Sequence, residues 1–422
     1  MHKRSGGTPP ITAPQILGVS LGNALEFYDF LVFTFFAVEI GQAFFPSANP
    51  VSSLLAALAT FGAGFLTRPL GAIVIGRLGD RAGRRPAMLL SFALIGLSSL
   101  GVALLPSYTA IGMAAPILVI LLRLVQGFAL GGEVGPSTAF LAEAAPPGRR
   151  ALYLSLQSVG QYAAVLVAGL IGTALAATMS DAMLAAWGWR IAMLIGVVVV
   201  PIGLALRGSL HETLETAAPD AAPPAFASYA RIALIGFLLM LSGTITTYVL
   251  NYMTTYAKTV LKLPSGIAFG ASVAVGIAGM AGSLAGGWLA DRIGRQPVIL
   301  WPTAIATLAT LPGFWLVTHY PGAASLYTAS FVLRALLAAA FAAALATITE
   351  GFPPRVRSGT LAIVYALAIS IFGGTTQFVV AWLTDITGDP LSPAWYMAAA
   401  GALGVIAVLF VPRTAPPRVR AG

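Results

Sequence analysis

Three carboxyl groups lie inside long apolar runs of the chain, where ionisable side chains are rare. Glu26 and Asp29 fall near the middle of the first run, and Glu133 lies toward one end of the fourth. A charge inside hydrocarbon is costly, so such residues are usually functional. The protonation of a buried carboxyl responds to its hydration and to neighbouring charges. These three residues are therefore predicted to take up and release a proton. For Glu26 and Asp29 the alternative is a permanent structural pair with an arginine.

Two arginines lie at comparable depth, Arg123 in the fourth apolar run and Arg334 in the tenth. A guanidinium binds a carboxylate through two parallel hydrogen bonds, so both arginines are predicted to bind an anionic substrate. For Arg123 the alternative is an ion pair with Asp29 or Glu133. For Arg334 it is a lipid-facing position or hydrogen bonding to carbonyl groups.

Uncharged polar side chains that could complete such a site are spread over four apolar runs. Hydroxyl and amide groups suit the carboxyl and hydroxyl groups of a small acid, and the predicted substrate-binding set is completed by Asn23, Gln157, Gln161, Tyr248, Tyr252 and Gln377. An aromatic belt at the membrane interface is an even alternative for Tyr252. Arg68 precedes Pro69, and it is predicted to have a structural role, pairing with Glu26 or extending to the interface.

The composition requires a membrane for these residues. Of 422 residues, 58% are hydrophobic and 9% charged, whereas soluble domains are about 25% charged. A membrane-crossing helix needs roughly 20 apolar residues. The sequence predicts an all-α plasma-membrane protein with twelve transmembrane helices, near residues 15–40, 54–76, 86–106, 113–142, 151–178, 187–207, 229–257, 266–290, 297–318, 324–349, 358–384 and 393–412.

Several classes of function are disfavoured by residues that the sequence lacks or scatters. There is no cysteine, and the three histidines are far apart, so neither a metal site nor a cofactor is predicted. No central run contains a nucleophile beside a histidine base, and an enzyme is not expected. The basic residues are dispersed between apolar runs, which argues against nucleic acid. The expected partners are the lipid bilayer and a small anionic carboxylate, with no obligate protein partner.

The arginines and lysines predict the orientation, because basic residues concentrate on the cytoplasmic side of membrane proteins. Nearly all those between runs fall on one side if the N-terminus is cytoplasmic. Both termini are therefore predicted to be cytoplasmic. The N-terminus also has no cleavage site typical of a signal peptide. The predicted domains are an N-terminal half over 1–207, a cytoplasmic linker over 208–228 and a C-terminal half over 229–422.

The two halves repeat each other. The stretch "GRLGDRAGRRPAML" from Gly76 aligns without a gap with "GWLADRIGRQPVIL" from Gly287, and "EAAPPGRR" from Glu143 aligns with "EGFPPRVR" from Glu350. All four lie on the predicted cytoplasmic side, so the halves share one topology, as in transporters whose halves rock around a midplane site.

The charges of these repeated stretches could form ion pairs that close the cytoplasmic face in one state and break in the other. For the basic ones, the alternative is simple anchoring at the cytoplasmic surface. The predicted gate comprises Asp80, Arg81, Arg84, Glu143 and Arg150 in the first half, and Asp291, Arg292, Arg295, Glu350 and Arg357 in the second.

The stretch "GRLGDRAGRR" resembles the signature loop of the major facilitator superfamily. Together, "GNALEFYDFLVF", "FLTRPLGA" and "RLVQGFALGGEVG" resemble the metabolite:proton symporter family, and "LTDITGDPLSPAWYM" is most like its citrate and tricarballylate branch. The resemblance implies a major facilitator fold and proton-coupled uptake of a small di- or tricarboxylate by rocker-switch alternating access. Na⁺ in place of H⁺ stays open. The alternative is a zwitterionic osmolyte such as proline or betaine, which would leave Arg334 without a role.

Overall fold

The computed structural model of the chain describes residues 27–82, 84–131, 144–208, 230–351 and 366–411, and the single positions 24, 138, 141 and 364. Within these ranges the description leaves out the side chains of residues 79–82, 84, 85, 88, 199 and 202–208. The described chain is almost entirely helical, as the apolar runs predict.

In its described residues, the first half contains eight main helices. Short helical turns lie at Tyr108–Ile111 and Asp181–Met183, and a π-helical turn over Leu184–Gly188 leads into the last helix. The main helices are α1 (Phe27–Phe35), α2 (Ala37–Phe44), α3 (Pro50–Leu66), α4 (Arg68–Ala82), α5 (Arg84–Leu104), α6 (Ala114–Leu130), α7 (Arg150–Thr178) and α8 (Trp189–Gly208).

The second half contains seven main helices in the described part of the chain. A π-helical turn over Ile369–Gly373 precedes the sixth of them. They are α9 (Ala230–Asn251), α10 (Met253–Thr259), α11 (Ser265–Ile293), α12 (Arg295–His319), α13 (Ala323–Gly351), α14 (Gly374–Thr387) and α15 (Ser392–Leu409).

The helices occur where the sequence predicts membrane spans. Among the described residues, 9 helices are long and apolar enough to cross a membrane, with α3 and most of α4 counted as one. The pair α1 and α2 is together long and apolar enough to form a further span, with a bend of 72° between the two helices. Shorter apolar helices cover Leu89–Leu104 and Ala114–Leu130. These segments are consistent with the twelve predicted spans, and the number of spans and the cytoplasmic position of the termini stay predictions.

The two halves pack closely where α7 meets α11. A Cβ atom added to Gly276 would lie 2.6 Å from the backbone nitrogen of Leu166, and one added to Gly169 would lie 2.8 Å from that of Val273. Such distances are shorter than van der Waals contact, so only glycine allows these backbones to approach. Small residues serve this purpose in membrane helices, where packing replaces the hydrophobic effect.

Candidate functional site

A small cavity lies between the two halves, near the middle of the helices, and residues of both halves line it. The first half contributes Phe27, Leu31, Arg68, Gln161, Tyr162 and Val165, and the second half contributes Gly243, Thr244, Thr247, Tyr248, Asn251, Phe341 and Ile369.

Two of the predicted substrate-binding residues line this cavity, Gln161 on α7 and Tyr248 on α9. The Tyr248 ring packs against Phe65 of the first half, with ring centroids 5.8 Å apart. Gln377 is buried behind it and donates from Nε2 to the backbone carbonyl oxygen of Tyr248 at 3.4 Å. Gln377 therefore contacts a helix of the cavity wall and does not line the cavity itself.

The other two predicted amide and phenol ligands lie away from the cavity. Gln157 is buried one turn before Gln161 on α7. Tyr252 is buried in the core of the second half, where its ring lies 6.5 Å from that of Tyr256. Neither side chain lines the cavity in this conformation.

Arg334 on α13 is fully buried and does not line the cavity itself, but it contacts two residues that do. Its Nη1 donates to the hydroxyl groups of Tyr162 at 3.0 Å and Thr247 at 3.1 Å, and its Nη2 donates to the Thr247 carbonyl oxygen at 2.8 Å. Tyr162 belongs to the first half, so this guanidinium bridges the halves. All these acceptors are neutral, and within the described chain no carboxylate lies within ion-pair distance of Arg334.

Arg68 at the start of α4 is a second cation of the cavity. Its guanidinium lies over the rings of Phe65, at 4.1 Å, and Phe30, at 4.8 Å, and the side chain lines the cavity. The sequence predicts only a structural role for Arg68. The structure adds a position from which it can contact a molecule in the cavity.

Asp29, Gln126 and Arg123 form a buried polar cluster inside the first half. The Gln126 amide nitrogen donates to the Asp29 carboxylate and also to the Ser99 hydroxyl at 3.1 Å, while its amide oxygen accepts from Arg123. The Arg123 guanidinium lies 3.5 Å from the centroid of the Phe33 ring. Gln126 thus joins Arg123 to Asp29, while a direct ion pair of Arg123 with Asp29 or Glu133 stays a prediction, and Arg123 does not line the cavity.

The polar cluster has unused hydrogen-bonding capacity. Within the described residues, Asp29 Oδ1 and the Nε and Nη2 atoms of Arg123 have no hydrogen-bond partner. Buried polar groups normally find partners. Asp29 also lies only two residues before Leu31, which lines the cavity. A change of charge on Asp29 therefore acts on the helix that forms one cavity wall.

Predicted gate residues meet at the end of the bundle that carries the charged turns. Arg295 and Glu350 form a two-point ion pair, in which Nη2 donates to Oε1 at 2.6 Å and Nη1 contacts Oε2. Arg150, from the first half, lies 4.0 Å from the same carboxylate. Arg292 lies over the ring of Trp288 instead, at 4.0 Å.

Asp291 links the halves at this end through the backbone. Its two carboxylate oxygens accept from the backbone N–H groups of Ala151, at 3.0 Å, and Leu152, at 2.9 Å. These N–H groups belong to the first turn of α7, where a helix lacks internal acceptors and favours negative charge. A carboxylate of the second half thus caps a helix of the first.

The remaining predicted site residues cannot be placed. Asn23, Glu26, Glu133, Glu143 and Arg357 lie outside the described residues. The side chains of Asp80, Arg81 and Arg84 lie outside the description as well.

A further pair of charged residues joins the halves at the opposite end, and the sequence analysis did not single it out. Lys258 of α10 forms an ion pair with Glu39 of α2 over 2.7 Å, and each side chain is only 8% exposed. The available signal was their position, one acid and one base at the predicted outer ends of the first and seventh spans.

Two helical halves, joined by contacts at both ends and lining a central cavity together, define the class of alternating-access membrane transporters. The chain belongs to the Major Facilitator Superfamily, whose family model matches residues 19–319. It is a multi-pass transporter of the plasma membrane, not an enzyme.

Similar proteins agree with this assignment. The citrate-proton symporter of Salmonella typhi is 38% identical over 409 residues, which are 95% of this chain and 94% of that protein. The alpha-ketoglutarate permease of Escherichia coli is 35% identical over 410 residues, 94% of this chain and 93% of that protein. A solved structure of the proton:xylose symporter XylE superposes with a TM-score of 0.74 at 18% identity, covering 95% of this chain and 96% of that one, and it shows the fold alone.

Proposed function

We propose that the protein is a proton-coupled symporter that takes up a small di- or tricarboxylate, citrate or tricarballylate, by rocker-switch alternating access. The observation that carries the proposal is a cavity lined by Arg68 of the first half and by Tyr162 and Thr247, both of which accept hydrogen bonds from Arg334 of the second half. The carboxylate substrates named for both similar transporters support it. Two cations, one lining the cavity and one hydrogen-bonded to its wall, favour a substrate with several carboxylates over a zwitterionic osmolyte.

In the proposed complex, one carboxylate of the substrate binds Arg68 and another binds Arg334. Arg334 now donates to neutral oxygens of Tyr162 and Thr247, and hydrogen bonds between ions are roughly twice as strong as neutral ones. A carboxylate can therefore replace the Tyr162 hydroxyl on Arg334. Gln161 and Asn251 line the same cavity and can bind further oxygen atoms of the substrate.

We propose that Asp29 carries the co-transported proton, with Glu26 and Glu133 as the other candidates. Gln126 holds the Asp29 carboxylate and Arg123 in one cluster, so protonation of Asp29 weakens the attraction between α1 and α6. Arg123 then stabilises the ionised carboxylate and does not bind substrate directly. Gln157, Tyr252 and Gln377 are proposed to support the cavity helices in this conformation.

The charged cluster around Asp291 and Glu350 is proposed to act as the cytoplasmic gate. Arg150 and the first turn of α7 belong to one half, while Asp291, Arg295 and Glu350 belong to the other. Separating the halves at this end breaks these contacts together. The equivalent residues of the first half are proposed to form the matching set.

Uptake of labelled citrate into proteoliposomes tests the function. We expect uptake to follow an inward proton gradient and to collapse with an uncoupler. Arg68→Gln and Arg334→Gln should each raise the KM for citrate about tenfold or more, because an ionic hydrogen bond contributes about 1.5–3 kcal/mol. Arg231→Gln is the matched control, since Arg231 is exposed at the start of α9.

The outcomes separate the parts of the proposal. If proline or betaine is taken up and citrate is not, the substrate class is wrong while the transporter assignment stands. If citrate is taken up and Arg334→Gln behaves like the Arg231→Gln control, Arg334 is not a substrate ligand.

A further inference from the structure

The ion pair between Glu39 and Lys258 is almost completely removed from solvent. The Lys258 ammonium lies 4.0 Å from the centroid of the Phe269 ring and 5.4 Å from that of Phe36. These two rings contact each other at 4.7 Å. The charges are thus enclosed by aromatic side chains, and Glu39 and Phe36 belong to the first half while Lys258 and Phe269 belong to the second.

Further contacts between the halves surround this pair. Lys258 Nζ lies 3.5 Å from the carbonyl oxygen of Phe35. The Thr255 hydroxyl lies 3.5 Å from the carbonyl oxygen of Thr34. Thr34 and Phe35 are at the end of α1, directly before the 72° bend into α2. The bend therefore directs Glu39 toward the other half.

The pair stands between the cavity and one end of the bundle. Asn251, which lines the cavity, precedes Lys258 by about two helical turns along the α9–α10 span. The charged turns lie at the opposite end, so basic-residue bias assigns the Lys258 end to the exterior.

We propose that Glu39 and Lys258 form an outer latch, which closes the exterior path to the cavity and separates whenever that path opens. A buried ion pair adds little net stability, because desolvation offsets the attraction, but losing one partner leaves the other charge buried and uncompensated. Neutralising one residue alone therefore disfavours the closed outer face. Neutralising both removes that penalty. The inference concerns conformation and does not depend on the identity of the substrate.

The absence of native cysteine makes the test direct. Asn251→Cys places one thiol at the cavity, and a membrane-impermeant maleimide is added to intact cells. We expect labelling about tenfold or more faster with Glu39→Gln or Lys258→Gln, and a return toward the slow rate when the two substitutions are combined. Lys262→Gln is the matched control, because Lys262 is exposed on the same end.

Two further variants keep the test decisive. Ala182→Cys, an exposed position at the same end, should be labelled rapidly in every background and shows that the protein is present and correctly oriented. Exchanging the charges with Glu39→Lys and Lys258→Glu should restore slow labelling of the cavity thiol. The proposal is overturned if the single substitutions label at the rate of Lys262→Gln, or if the double substitution labels as fast as the sum of the singles. No substrate is needed, so the result stands apart from any outcome of the citrate experiment.

Discussion

At the scale of residues, the buried cluster of the first half joins an acid to a base through an amide. The Gln126 side chain donates to Asp29 and accepts from Arg123, so each charged group is held by a neutral neighbour. Such a cluster can change the charge of Asp29 without losing all of its hydrogen bonds. This makes Asp29 the carboxyl best placed, within the described residues, to couple a proton to helix movement.

Replacing Asp29 by asparagine separates transport from proton coupling. We expect Asp29→Asn to lose accumulation driven by a pH gradient but to keep exchange of labelled for unlabelled substrate, because the amide fills the same space and cannot ionise. Gradient-driven uptake and counterflow in the same proteoliposomes measure the two activities. Glu26→Gln is the comparison. If Asp29→Asn still accumulates substrate and Glu26→Gln does not, the proton is carried by Glu26.

At the scale of elements, α7 is shared by the two halves. It belongs to the first half by sequence, yet its first turn is capped by Asp291 and its Gly169 faces the backbone of α11. The cap satisfies two N–H groups that the helix cannot satisfy itself. A single carboxylate thereby couples the stability of α7 to the contact between the halves at the end that carries the charged turns.

Removing this cap should loosen that end. A cap contributes about 1 kcal/mol, so we expect Asp291→Ala to shift the equilibrium toward an open cytoplasmic face about fivefold. Thr244→Cys, at a buried position of the cavity wall, is the reporter thiol, labelled in inside-out vesicles. The labelling rate of Asp291→Asn should fall between those of Asp291→Ala and the parent, because its amide oxygen can still accept one hydrogen bond. Equal labelling of Asp291→Ala and the parent would show that the cap does not control closure.

The spans were predictable because the bilayer dictates the length and apolarity of a crossing helix. The ion pair Arg295–Glu350 was predictable as well, since the internal repeat marks both residues. The face of the helix on which each polar side chain lies was not predictable. Helices such as α9, α11 and α13 are apolar on nearly all sides, so their sequences do not reveal which face meets the cavity. For that reason Thr247 on α9 was not predicted as a partner of Arg334.

At the scale of the whole molecule, contacts between the halves close both ends of the bundle. Asp291 and Arg150 join the halves at one end, and Glu39 and Lys258 join them at the other. The cavity with Arg68 and Tyr162 lies between them. Rocking of two rigid halves explains how one end can open while the other stays shut.

Locking the outer end should therefore stop transport reversibly. Cysteines placed at Thr34 and Thr255, whose hydroxyl-to-carbonyl distance is 3.5 Å, can be joined by a short bifunctional thiosulfonate reagent. We expect uptake to cease after cross-linking and to recover after reduction, while each single cysteine variant keeps transporting. Undiminished uptake by fully cross-linked protein would contradict alternating access through this end.

The presence of contacts between the halves at each end also has a consequence for the cell's energy supply. If both ends of a transporter were open at the same time, protons and anions would leak through it down the membrane voltage. Each elementary charge that slips through dissipates about 2.3 kcal/mol per 100 mV. A conformation with both ends closed would give the protein an intermediate that prevents this leak, because one end would close before the other opens.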